Sequence, residues 1–297
     1  MSFRRVWQAG LFELFGALRS RRAVVVLSLY LVSSLLCMNG SITMLGKLEG
    51  QLAEVFRLQA AENGKSGVIS KTLWQSEQFQ RMVRRAVGDS LVYDDICGKH
   101  PAELLYAWLT FLLVPLLTVL VAAHRVADDI RSGAVRYMIT RVTRFEWSLG
   151  KYLGLAFLMA TGLAAGALAA WGVAAFRLSG ADVPALLPAM LGWSAKAWVL
   201  SLAWLGLALG ISHVARTGAM ATSLSVFALV AWKVAAWSLA TFGGRFAVLA
   251  RLFPSEVDDA LWRTSLSPIA AASFWLALLG LFYLTCGYAL FARRDAR

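Results

Sequence analysis

Apolar residues dominate six stretches of the chain, near 23–46, 104–123, 152–176, 189–212, 219–242 and 268–292. A helix of about 20 apolar residues crosses the roughly 30 Å of a bilayer's hydrocarbon, so each stretch predicts a transmembrane helix. The second, LLYAWLTFLLVPLLTVLVAA, contains no charged residue. Pro115 lies inside it, and membrane helices tolerate such a kink. The first stretch is too long for a signal-peptide core and is followed by no small-residue cleavage site, so it is expected to be a retained span.

The polar intervals differ in character. Residues 1–22 place Phe3, Trp7, Leu11, Leu14, Phe15 and Leu18 at helical spacing between arginines. That pattern predicts an amphipathic helix lying in the membrane interface. Residues 47–103 carry two helical patterns, LEGQLAEVFRLQAAENGKSG and TLWQSEQFQRMVRRAV, broken at Asn63–Gly67. They predict a small helical module outside the membrane. Residues 243–267 hold short apolar groups broken by Gly243, Gly244 and Pro254, which suit a re-entrant or short helical segment. Residues 124–151, HRVADDIRSGAVRYMITRVTRFEWSLGK, are the most charged short interval. The fold class expected is an all-α integral membrane protein: six transmembrane helices, an N-terminal interfacial helix and an extracytoplasmic helical insertion.

Composition agrees. The chain of 297 residues is 59% hydrophobic and 15% charged, against about 25% charged in soluble domains. Its net charge of +12 is unevenly placed. Residues 1–22, 124–151, 213–218 and 293–297 hold 15 Lys/Arg and 5 Asp/Glu, whereas 47–103, 177–188 and 243–267 hold 12 of each. The excess of Lys/Arg in short loops predicts that the first set, with both termini, is cytoplasmic. There it would face anionic headgroups, which accounts for the basic balance without nucleic acid. Cys37, Cys97 and Cys286 are too few and scattered for a disulfide framework.

Candidate chemistry is sparse. The Gly64-Lys65-Ser66 triplet lacks the glycine that a phosphate loop needs at position 59, which is Gln59. Asp94, Asp95, Cys97 and His100 form one cluster, where metal sites pair two; an ordinary turn is expected. His100, His124 and His213 are far apart in sequence, and no nucleophile or metalloprotease signature is present. The six spans contain no Asp or Glu, whereas ion-driven transporters commonly carry intramembrane carboxylates. Uphill transport would thus draw its energy from a partner. Lys233 sits mid-span, where a charge costs roughly 2.5–3.5 kcal/mol. It either faces a substrate pathway or snorkels to an interface. Lys196, nearer a span end, is expected to snorkel. Gly162, Gly166 and Ala170 form one small-residue face and Gly206 and Gly210 another, both suited to close helix packing.

The layout of spans, together with the interval 124–151, resembles the type-2 permeases of ATP-binding cassette (ABC) exporters. The family's segment runs from acidic residues through Gly-Thr and a Pro-x-Ser-Arg-like turn to Gly-Lys. Asp128 and Asp129 match the acidic residues, Gly133-Ala134 the Gly-Thr, Thr143-Arg144 the Ser-Arg and Gly150-Lys151 the close. Asp stands where the family usually has Glu, and Arg141 where it has proline. The resemblance implies a permease that pairs with a second copy, or with a related permease, and is driven by separate ABC ATPase subunits that bind ATP and Mg. It also implies that 124–151 docks on the ATPase, with Asp128, Asp129, Arg131, Gly133, Arg136, Arg144, Gly150 and Lys151 in coupling. Lys233 is the candidate pathway residue. No catalytic, cofactor or metal residue is expected in this chain.

A bacterial inner membrane is the expected location, with membrane lipid and a periplasmic protein at 47–103 as further partners. Two other readings are a non-transporting scaffold or sensor that recruits a cytoplasmic partner, and a membrane-embedded enzyme acting on lipid; the latter lacks a catalytic constellation.

Overall fold

The computed structural model describes residues 2–56, 80–81, 93, 95, 97, 99–140, 142–178, 183–242, 253–254 and 257–294. Among them there are ten helices and no strand. In chain order these are α1 (Phe3–Arg19), α2 (Arg21–Phe56), α3 (Pro101–Ala122), α4 (Arg125–Ser132), α5 (Ala134–Ile139), α6 (Arg144–Arg177), α7 (Val183–Val214), α8 (Gly218–Phe242), α9 (Asp259–Trp262) and α10 (Leu266–Arg294). Six of them, α2, α3, α6, α7, α8 and α10, are long and apolar enough to cross a membrane. The molecule is a multi-pass helical membrane protein, as the apolar pattern predicts.

α7 is the hub, the most deeply buried of the six, packed against α3, α6, α8 and α10. Helices in lipid associate through close packing and hydrogen bonds rather than hydrophobic burial, and both devices are present. Gly206 and Gly210 of α7 lie directly against the backbone of Gly280, Tyr283 and Gly287 on α10, with no room for a Cβ. The other small-residue face works differently. Gly162 and Gly166 of α6 receive the side chains of Leu27 and Tyr30 from α2, while Ala170 is fully buried. Tyr30 then links two further helices. Its hydroxyl lies 3.2 Å from Thr110 Oγ1 and 3.3 Å from the Tyr106 hydroxyl on α3. Tyr106 continues to Ser194 on α7, at 2.8 Å.

Two boundaries differ from the sequence pattern. α2 does not stop near position 46 but runs unbroken to Phe56. Gly46 has open space around its Cβ position, and LEGQLAEVF has good helix propensity, so the helix continues. The remainder of the expected outer module falls almost entirely outside the described residues. The third span begins early: Thr143 caps it through a reciprocal capping box with Glu146, so Arg144–Lys151 forms the first turns of α6 rather than the tail of a loop. Of 243–267, the described part is Phe253, Pro254 and Val257 onward, including the single turn α9.

α1 packs on α6 through Val6, Gly10, Glu13 and Ala17, all buried. Its aromatic stripe is left exposed: Phe3, Trp7, Leu11, Phe12, Phe15 and Leu18. Gly10 is matched by Gly150 and Gly154 on α6, which lets the two backbones touch. The buried and the exposed apolar stripes run along different sides of α1, which is the amphipathic helix that its pattern predicts.

At the opposite end, Asp95 accepts hydrogen bonds from the backbone N–H and hydroxyl of Thr264. His100 caps α3 by accepting from Ala102 N at 3.2 Å. Two members of the suspected metal cluster are thus engaged in turn and cap contacts. Lys196 does not snorkel freely: its Nζ donates to the Arg263 carbonyl at 2.9 Å and lies 4.3 Å from the Trp193 ring centroid.

Candidate functional site

The α3–α6 connection is short, and its path is set by Gly133. This residue adopts φ +75°, ending α4 in the left-handed conformation and starting α5 at once. A left-handed stop is readily made by glycine and strained for most other residues. The two short helices form a folded-back pair at the end of the bundle that carries α1, the 215–217 turn and the close of α10.

Each predicted residue of this interval now has a place. Asp129 Oδ2 lies 2.8 Å from Lys151 Nζ, and Lys151 Nζ lies 2.5 Å from Glu13 Oε2. Arg125 Nη1 approaches Glu13 Oε1 at 3.8 Å. Lys151 and Glu13 are buried, at 4% and 7% exposure, and the lysine also faces the Trp147 ring. Two anions and two cations from α1, α4 and α6 therefore form one neutral cluster beneath the helix pair. A buried charge is tolerated only when paired, so Glu13, Lys151 and Asp129 fix one another's positions. Arg125 is less completely served, since its Nε and Nη2 are buried without an acceptor.

Asp128 points the other way. Its carboxylate sits against the first residue of α8, Gly218, where no Cβ would fit, and reaches Arg22 at 3.9 Å. An anion at a helix N-terminus is favourable. The Ala127 N–H donates to Ser212 Oγ on α7 at 3.0 Å. Beside it, His213 is buried among Trp147, Tyr288 and Phe291, with Ser148 Oγ 3.0 Å from its Nε2. One eight-residue helix is thereby tied to α1, α2, α6, α7 and α8.

The remaining candidates lie apart from this cluster. Arg131 is exposed at the end of α4 and Arg144 half-buried at the start of α6. Gly150 packs against Ala9 and Gly10. Arg136 lies in α5, and Arg141 outside the described residues. Lys233 is exposed on α8, far along the helix from the cluster.

Glu13 and Arg125 are the members that sequence patterns alone did not single out. The available signal was Glu13's position: it shares the small-residue stripe of α1 with Val6, Gly10 and Ala17, opposite the aromatic stripe, and a carboxylate on a packing stripe calls for a buried cation. The class defined by these features is a six-span helical membrane protein with an ion-locked helix pair at its basic end. Set beside known proteins, the chain matches no family model and no curated relative.

Proposed function

We propose that this chain is the transmembrane permease subunit of an ABC exporter, working as a dimer with separate ATPase subunits in a bacterial inner membrane. The basic end, with both termini, is cytoplasmic in this reading. The observation that carries it is the locking of α4. A short helix bound to five others transmits force into the spans, whereas a solvated loop absorbs it. α4 and α5 would dock on the ATPase, with Arg131, exposed at the end of α4, and Arg136 of α5 setting register by charge. Asp129 and Lys151 would act from behind, holding the pair rigid against α1 and α6. ATP and Mg would bind on the partner, which supplies the energy. Neither nucleotide chemistry nor catalysis is assigned to this chain.

The test is co-expression with the ABC ATPase encoded nearest its gene. The permease should copurify with that ATPase and raise its hydrolysis rate, and the Arg131→Glu/Arg136→Glu pair should abolish both effects. Failure of any ATPase to copurify would favour a scaffold that recruits some other cytoplasmic partner.

A further inference from the structure

An open groove of about 570 Å³ lies at the basic end, between α2, α3 and α8. Arg21 and Arg22 line its mouth with His124, and its walls include Val25, Val26, Leu120 and Ala219. Asp128 is the acidic group near the mouth, and it meets Arg22 at 3.9 Å with both side chains substantially exposed. Exposed pairs of this kind hold loosely, so two arginines face one partly engaged carboxylate and the mouth keeps an excess of positive charge.

The groove and the exposed stripes that continue its lining along the three helices together make up an apolar furrow. On each bounding helix, the groove residue continues at helical spacing into an exposed stripe. On α2 it runs from Val25 through Leu29 and Val32 to Leu36. On the α3 floor it runs from Leu120 through Leu116 and Leu112 to Trp108. On α8 it runs from Ala219 and Thr222 through Val230 to Lys233 and Trp237. Lys233 therefore lies on the groove-lining face of α8, about 20 Å farther along at 1.5 Å per residue. The furrow is an apolar track, open to one side, with cationic groups at its mouth and at mid-depth.

We infer that this furrow takes an anionic, phosphate-bearing amphiphile from the adjoining leaflet. Its head group sits between Arg21 and Arg22, and its chains lie along Val25, Leu29 and Leu116. A soluble anion would gain nothing from the apolar walls, and a neutral lipid nothing from the arginines; only an anionic amphiphile uses both. Resting on the pathway reading proposed above, the cargo is of this class, and Lys233 is the second station for the head group while the chains stay in lipid. A permanently exposed lysine at that depth is otherwise unfavourable.

The experiment uses the full-length chain in nanodiscs, without ATPase. Fluorescent phosphatidylglycerol is titrated against phosphatidylcholine of equal chain length, with inorganic phosphate as competitor. Phosphatidylglycerol should bind more tightly, phosphate should compete poorly, and each of Arg21→Gln and Arg22→Gln should weaken the preference about fivefold. Lys233→Met should weaken the preference less than either arginine variant, and in a separate measurement on the complex with ATPase it should abolish amphiphile stimulation of hydrolysis. Equal binding of the two lipids, or full competition by phosphate, overturns the inference and leaves the permease reading intact. Tight closure of the furrow by a second copy, seen as cysteine cross-links between Leu29 positions that exclude the lipid, also overturns it. Selective binding with no ATPase partner would instead sink the permease reading and leave a lipid site.

Discussion

At the level of single residues, removing one charge from the Glu13–Lys151–Asp129 cluster should harm the protein more than removing a balanced pair. Lys151→Met leaves Asp129 without its partner and the buried Glu13 with only the 3.8 Å approach of Arg125, and stranding a buried charge typically costs about 3–5 kcal/mol. Adding Glu13→Gln removes one stranded charge, so the double variant should recover part of the loss. Thermal unfolding of the three variants in one detergent checks this, and strict additivity would show that the groups do not act as a unit. A second residue-scale prediction concerns Asp95. Hydrogen bonds from Thr264 hold its carboxyl below the ordinary carboxylate range. A depressed carboxyl stabilises the fold above the unfolded-state value, near pH 4, and the benefit disappears as pH falls through the lowered folded value. The stability gap between the wild type and Asp95→Asn should therefore be largest at neutral pH and close in acid. A gap independent of pH would assign the effect to packing. The motif and the charge pattern pointed to Asp129 and Lys151 but not to their partner, because Glu13 is 138 positions from Lys151 and pairing across that distance leaves no local pattern.

Among the helices, the closest approach near the site is α1 against α6. A Cβ at Gly154 would overlap the Gly10 carbonyl, which is backbone and has little freedom to move away. Gly154→Ala should thus pry α1 from α6 and destabilise by about 1–3 kcal/mol, the usual range for overpacking. Gly172, on the same helix with nothing within 4 Å of its Cβ position, is the control: Gly172→Ala should be neutral or slightly stabilising, since alanine is the better helix former. Unfolding midpoints, with protease sensitivity of α1, distinguish the two. The helices themselves were legible from apolar length, and the sides they share from charge counts. The junctions were less so. The third span starts at Arg144 because Thr143 and Glu146 cap each other, a three-residue event that the surrounding charge masks. The first span outruns its apolar stretch because helix propensity persists after hydrophobicity fades.

Across the whole molecule, docking and transmission should be separable. In the proposed permease the outward residues of α4 and α5 meet the ATPase, while the cluster behind them passes the motion to α1 and α6. Glu13→Gln keeps the shape of the side chain and leaves Lys151 paired with Asp129, but it weakens the bond between α1 and the rest. ATPase binding and basal hydrolysis should therefore stay near wild type. Transport per ATP hydrolysed should fall, because α4 can then shift without carrying α1 along. The measurement is a ratio, substrate moved against phosphate released, in proteoliposomes holding the intact complex. Loss of ATPase binding in Glu13→Gln would place this residue in the docking surface instead, and an unchanged ratio would mean that the path runs through Ser212 and Gly218 to α7 and α8. A variant at Ser212, Ser212→Ala, removes the hydrogen bond to the Ala127 N–H and tests that second path with the same ratio.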